Sequence, residues 1–138
     1  MAAFNGFEDF IAQLGIGTHN LNTDTIEVYL TNNAPSASGD SVLTDLVGIT
    51  EENGYASADT TNTYSETGGT GTVAVVDVVW TGTTANPAFG PFRYVPTVNT
   101  GGDNLIGWWD YGSAISVNTD ETFTVDFTGN ALMTIAFA

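Results

Sequence analysis

Residues 89–112 read Phe-Gly-Pro-Phe-Arg-Tyr-Val-Pro-Thr-Val-Asn-Thr-Gly-Gly-Asp-Asn-Leu-Ile-Gly-Trp-Trp-Asp-Tyr-Gly, and this stretch decides the fold. Two runs rich in aromatic and β-branched residues, Phe92 to Val98 and Leu105 to Tyr111, flank Asn-Thr-Gly-Gly-Asp-Asn, where glycine supplies the positive φ angles of a tight reversal. The pattern predicts a β-hairpin. A reversal centred between Gly101 and Gly102 sets Val98 opposite Leu105, Pro96 opposite Gly107, Val95 opposite Trp108 and Arg93 opposite Asp110. Arg93 is the sole lysine or arginine in the sequence. Its pairing with Asp110 would fix the register and hold the planar guanidinium near Tyr94 or a tryptophan. A slip of one residue would instead turn every side chain to the other face. Trp108 and Trp109, being adjacent, point to opposite faces, so at least one belongs to the core.

Outward from the hairpin, alternation recurs. Ile26, Val28 and Leu30 alternate with Glu27, Tyr29 and Thr31, which predicts a strand with one buried face. Thr72 to Trp80 is apolar at nearly every position, as a central strand covered on both faces would be; Asp77 within it needs an outward position or a partner. Thr122 to Phe127 turns Phe123, Val125 and Phe127 inward, and Leu132 to Phe137 follows after Thr-Gly-Asn. Ala114 to Val117 reads as a short strand of its own, and Pro96 argues for an edge strand or a bulge.

At the N-terminus Phe4, Phe7, Ile11 and Leu14 recur at spacings of three and four, with Phe10 beside them, predicting an amphipathic helix over residues 4–14 that Gly15 and Gly17 stop. Glu8 and Asp9 fall in its first turns, where the helix dipole favours negative charge. The apolar stripe has two readings: a cap on the domain's own core, or an arm that docks on another subunit. Residues 36–70 are rich in Ser, Thr, Gly, Asp and Asn, with a helical turn or short strand among Val42 to Ile49 and with Tyr55 and Tyr64 as anchors; so long a connection is usually functional or mobile. The sum is a single domain over residues 1–138 with six or seven strands and one short N-terminal helix. That predicts a mainly β fold, an antiparallel β-sandwich with a jelly roll as one form of it.

Composition limits the function. The chain has 138 residues, 42% of them hydrophobic, and a formal net charge of −15 from 16 acids against one basic residue. Nucleic-acid binding depends on lysine and arginine displacing counterions, so it is disfavoured, as is an anionic membrane surface. Without cysteine there is no disulfide, thiolate or cysteine-held zinc, and without lysine no Schiff base or Ser–Lys pair. The lone histidine, His19, lies in a polar loop and is expected to be solvated. Glu51–Glu52, Asp120–Glu121 and Asp110 could supply the two acids of a glycoside hydrolase, but acidic doublets in turns are ordinarily solvated. A non-catalytic carbohydrate surface on the tryptophans is the stronger of those two ideas. No calcium loop of the Asp-x-Asx-x-Asx-Gly type occurs, and no metal or cofactor is expected. The first residues lack a secretory signal and no stretch nears the ~20 apolar residues of a membrane span, so a soluble cytoplasmic product is expected.

Several stretches together carry a resemblance: the Ala-Phe-Asn-x-Phe start, Leu30-Thr-Asn-Asn-Ala-Pro, Asn53-Gly-Tyr, Gly90-Pro-Phe-Arg-Tyr, Leu105-Ile-Gly-Trp-Trp-Asp-Tyr-Gly and Glu121-Thr-Phe-Thr-Val-Asp-Phe. In this order, along nearly the whole chain, they resemble a family of small virion structural proteins of tailed bacteriophages. The resemblance implies a non-enzymatic component of the virion, a capsid decoration or cement protein in preference to a tail or fibre protein with a receptor- or carbohydrate-binding surface. It implies the major capsid protein as partner and a homo-oligomer, dimer or trimer, on the particle, with no nucleic acid and no membrane. Phe4, Phe7, Phe10, Ile11 and Leu14 are then the candidate shell or subunit contacts. Arg93, Tyr94, Trp108, Trp109, Asp110 and Tyr111 form the structural hairpin. Val95-Pro-Thr-Val departs from the uninterrupted aliphatic strand expected there.

Overall fold

The computed structural model describes residues 3–137, Thr128 by its backbone alone. In chain order the strands are β1 (Asn5–Gly6), β2 (Ile26–Val28), β3 (Ala58–Asp59), β4 (Thr63–Thr67), β5 (Thr70–Ala74), β6 (Val78–Thr81), β7 (Phe89–Asn99), β8 (Asn104–Val117), β9 (Thr122–Val125) and β10 (Ala131–Ala136), with one α-helix, α1 (Glu8–Gly15). The fold is mainly β, as expected, with more strands than the six or seven predicted; β7 and β8 are longer than expected and most of the others are short. They form three sheets, ordered β1-β8-β7-β2-β3, β10-β5-β4 and β6-β9, and every ladder between named strands is antiparallel.

The two smaller sheets bring Val73, Leu132, Val78, Trp80 and Val125 to the same core as Ile26, Val28, Val95, Ile106 and Trp109 of the five-stranded sheet. This is a sandwich-like arrangement. The other face of the large sheet is covered as well, because Tyr29, Val98 and Leu105 pack with Phe7 and Leu46 in a second cluster. Tyr29 and Thr31 are therefore buried, although strand alternation alone placed them outward.

β7 and β8 form the predicted hairpin. Val98 pairs with Leu105 as expected, but Ile106 is an extra residue on β8, so the register then runs Thr97 to Gly107, Pro96 to Trp108, Val95 to Trp109 and Tyr94 to Asp110. Beyond Tyr94 a larger irregularity sets Tyr111 to Ala114 opposite Arg93 alone before Phe92 pairs with Ile115. Ala114–Val117 is thus the end of β8 and not a separate strand.

Pro96 lies in an interior strand and not at an edge, and the bulge that was the other expectation lies beside it, between Thr97 and Val98. Pro96 accepts the Tyr29 N–H at 3.1 Å and has no N–H to return. That accounts for β2 ending at Val28, while the chain keeps register as far as Thr31, which bridges to Tyr94.

The Thr72–Trp80 run is not one central strand. It divides between β5 and β6 in two different sheets, and Val76 and Val79 are exposed. Asp77 sits at the bend and accepts the Phe127 N–H at 2.8 Å, so the partner its position demanded is a backbone group. Within residues 36–70 the helical turn is a 3₁₀ turn, Leu43–Asp45, and the segment also supplies β3 and β4. Tyr55 is a buried anchor whose hydroxyl accepts the Leu30 N–H at 2.8 Å; Tyr64, expected to be another, is exposed.

Candidate functional site

The N-terminal helix is shorter than predicted. Phe4 to Phe7 are extended, with Asn5 and Gly6 pairing to Trp108 and Gly107 at the edge of β8. Phe4 packs on Trp109 and Phe7 on Trp108, each with ring centroids 4.6 Å apart and the planes tilted, by 44° and 46°. The tryptophans face opposite sides of the sheet, and an extended segment puts residues three apart on opposite sides, where a helix would put both on one. Of the five candidate contact residues, Phe7 and Phe10 are buried in the protein's own clusters, and Phe4 and Leu14 are half-buried against the main core. Ile11 alone is fully exposed, at 69%.

In the hairpin, the ion pair forms as expected despite the shifted register. Arg93 Nε and Nη2 donate to the two Asp110 carboxylate oxygens at 2.8 and 3.0 Å, and Asp110 Oδ1 also accepts the Gly112 N–H at 2.8 Å. These bonds, the one from Arg93 first, hold the Asp110 carboxyl below the usual carboxylate range. The guanidinium lies 5.2 Å from the Tyr94 ring centroid. Trp109 is buried, Trp108 is half-buried under Phe7, and Tyr111 is exposed.

His19 is not solvated. It is 7% exposed, packs on Phe10, and its Nδ1 lies 3.0 Å from Asn99 Nδ2. The amide nitrogen can only donate, so Nδ1 accepts and the proton of the neutral ring is on Nε2, which has no partner. Asn99 donates again to Asp24 at 2.7 Å. Burial pushes the histidine below its ordinary value of 6.5, against the opposing pull of Asp24 and Asp9. Among the described residues no group of three His, Cys, Asp or Glu side chains is placed to share a metal ion. No helix there is long and apolar enough to cross a membrane.

A groove of about 420 Å³ lies on the outer face of the large sheet. Its floor is apolar: Tyr29 and Val98 from the sheet, and Tyr55 from the long connection. Leu43 and Ile49 form a wall, which is firmly tied down. Asp45 Oδ2 accepts the Ser41 and Val42 N–H groups at 2.9 and 3.1 Å, and these bonds hold its carboxyl below the usual range. Leu43 N–H donates to the Asp103 carbonyl at 2.8 Å, and Leu105 N–H to the Ser41 carbonyl at 2.9 Å. From below, the Tyr29 hydroxyl donates to the Leu46 carbonyl at 2.7 Å. Burial raises the pKa of both the Tyr29 and Tyr55 phenols, so they remain neutral hydrogen-bonding groups.

Around this floor stand Glu27, Glu51 and Asp103. No family model matches the chain, and neither a curated protein nor a solved structure is significantly similar to it. The groove therefore has to be interpreted from its own chemistry. Its three carboxylates come from β2, the long connection and the hairpin turn, so no local motif marks them. The one sequence signal was the amphipathic strand from Ile26 that places Glu27 beside Tyr29 on the same face.

Proposed function

We propose that this chain is a non-enzymatic structural protein of a tailed-bacteriophage virion, a decoration or cement protein that binds the head shell as a dimer or trimer. The resemblance of its aromatic hairpin and flanking motifs to that family is one support. The observation that carries the proposal is the state of its charge. The only arginine is engaged by Asp110 within one hairpin, which leaves the remaining carboxylates without a lysine or arginine of their own. Such a module repels its own copies when free and stays soluble. It attaches where a basic surface is repeated by symmetry, as on a rim of the major capsid protein.

The placement of the N-terminal aromatics redirects the contact surface. Phe7 and Phe10 stabilise the domain itself, so attachment falls to exposed groups such as Ile11 and to the carboxylates around the groove, Glu27, Glu51 and Asp103. A tail or fibre role with a carbohydrate-binding surface has weaker support. A stacking platform needs exposed indole rings, but Trp109 is 5% exposed and Trp108 is covered by Phe7. Cryo-electron microscopy of the intact particle tests the proposal. Density for this chain bridging shell subunits on the head is the expected result; density on the tail or a fibre, or none in the particle, overturns it.

A further inference from the structure

The groove beside Tyr29 combines two features that select one kind of occupant. An apolar floor of about 420 Å³, within the ~300–1,000 Å³ of binding clefts, calls for aliphatic contact. The surrounding Glu27, Glu51 and Asp103 call for positive charge, and among the described residues none of them forms an ion pair.

Glu27 makes the demand sharper. It is half-buried, and its register partner on β3 is Asp59, so two carboxylates stand directly opposite each other. Like charges in that position destabilise a sheet, and the chain has no lysine with which to relieve them. Glu51 is held in place, because its Oε1 accepts the Ser57 N–H at 2.8 Å.

We infer that the groove is a docking cleft for a basic segment of a partner polypeptide, in which a lysine or arginine is flanked by aliphatic residues. The aliphatic stem of the basic residue lies along Tyr29 and Val98 while its head reaches Glu27 and Glu51, the arrangement long cations adopt at the border of apolar and polar surface. The neighbouring aliphatic side chains of the segment fill the space against Leu43 and Ile49. A second copy of this chain is a poor occupant, since its only arginine is engaged by Asp110. A bare metal ion fits no better, because it leaves the apolar floor uncovered and the carboxylates are not clustered to share it.

This assignment rests on the groove and not on the virion proposal, so either can fail without the other. The full chain, labelled with ¹⁵N, is titrated with the synthetic peptide acetyl-Leu-Lys-Val-Arg-Leu-amide. Saturable amide shifts are expected at Glu27, Gly48, Val98 and Thr100, weakening as salt is raised. Glu27→Gln is expected to fold at least as stably as the parent, since it removes the opposition to Asp59, and to bind about fivefold more weakly. Asp120→Asn together with Asp126→Asn, outside the groove, should leave the affinity unchanged.

The same peptide with both cations replaced by norleucine, or with its aliphatic residues replaced by serine, should lose most of its affinity. Four results overturn the inference. One is the absence of saturable shifts at millimolar peptide. Another is shifts spread over the whole acidic surface and weakened equally by either set of substitutions. The others are equal binding by the serine peptide, and spermidine binding as tightly at the same amides, which would make the groove a simple polycation site.

Discussion

Gly107→Ala tests the role of the N-terminal strand. Gly107 has no positive φ, so alanine meets no backbone strain there. The effect must come from space. An added Cβ would lie 2.5 Å from the Asn5 carbonyl oxygen and run into the Phe4 ring, so β1 has to leave the edge of β8 or shift along it. If it leaves, Phe7 passes from 1% exposure into water, a loss of about 1.5–3 kcal/mol. The Phe4–Trp109 and Phe7–Trp108 ring pairs are each worth about 0.5–1.5 kcal/mol more. A partial shift recovers some of this, and about 3 kcal/mol of destabilisation is expected. Urea unfolding followed by tryptophan fluorescence measures the loss, and chymotrypsin under native conditions reports its location, since a displaced strand becomes cleavable after Phe4 and Phe7. A change below about 0.5 kcal/mol, within the range of a neutral substitution, would refute the reasoning. So would destabilisation without new native-state cleavage, which would place the damage elsewhere.

Three further outcomes follow from buried polar groups and from the ion pair. Because burial lowers the His19 pKa in the folded state, the unfolded chain takes up a proton first as the pH falls below about 6.5. Stability should drop there and keep dropping until the folded pKa is passed, and the urea midpoint should fall less between pH 7.5 and 5.5 in His19→Gln than in the parent. Tyr55→Phe leaves the buried Leu30 N–H without its acceptor and should cost about 1–3 kcal/mol in the same assay. Arg93→Gln should barely move the midpoint, since the paired side chains are 40% and 36% exposed; Asp110→Ala should lower it only a little more, because the exposed Gly112 N–H that it frees can bond water.

Much of the large sheet was legible in the sequence. The hairpin, the Val98–Leu105 pairing and the buried row Ile26, Val28 and Leu30 follow from period-two patterning and turn chemistry. The Arg93–Asp110 pair was also expected, although the extra residue at Ile106 shifts the ladder and the irregularity beyond Tyr94 leaves Arg93 free to reach Asp110 diagonally. What escaped is what depends on distant segments. Periodicity cannot separate a central strand from an apolar run that changes sheets, which is how Thr72–Trp80 misleads. A spacing of three fits a helix, yet for Phe4 and Phe7 it serves two opposite faces. His19 reads as solvated because its neighbours in sequence are polar, while Phe10, on the preceding helix, and Asn99, far along the chain, enclose it. The acidic groove has no local signature because its carboxylates meet only after folding.

The bend at Asp77 bears on the order in which the protein forms. β5 has β4 on one side, but its other neighbour, β10, and the partner of β6, β9, come from much later in the chain. A chain folding from its N-terminus can join β5 to β4 and pack Trp80 on Tyr55, yet the edges of β5 and β6 that receive β10 and β9 stay open until residues 122–136 are in place. Closing so long a loop must precede the contacts that reward it, which makes this step of folding slow. In that interval those unpaired edges are the part of the chain most open to chaperone capture or aggregation.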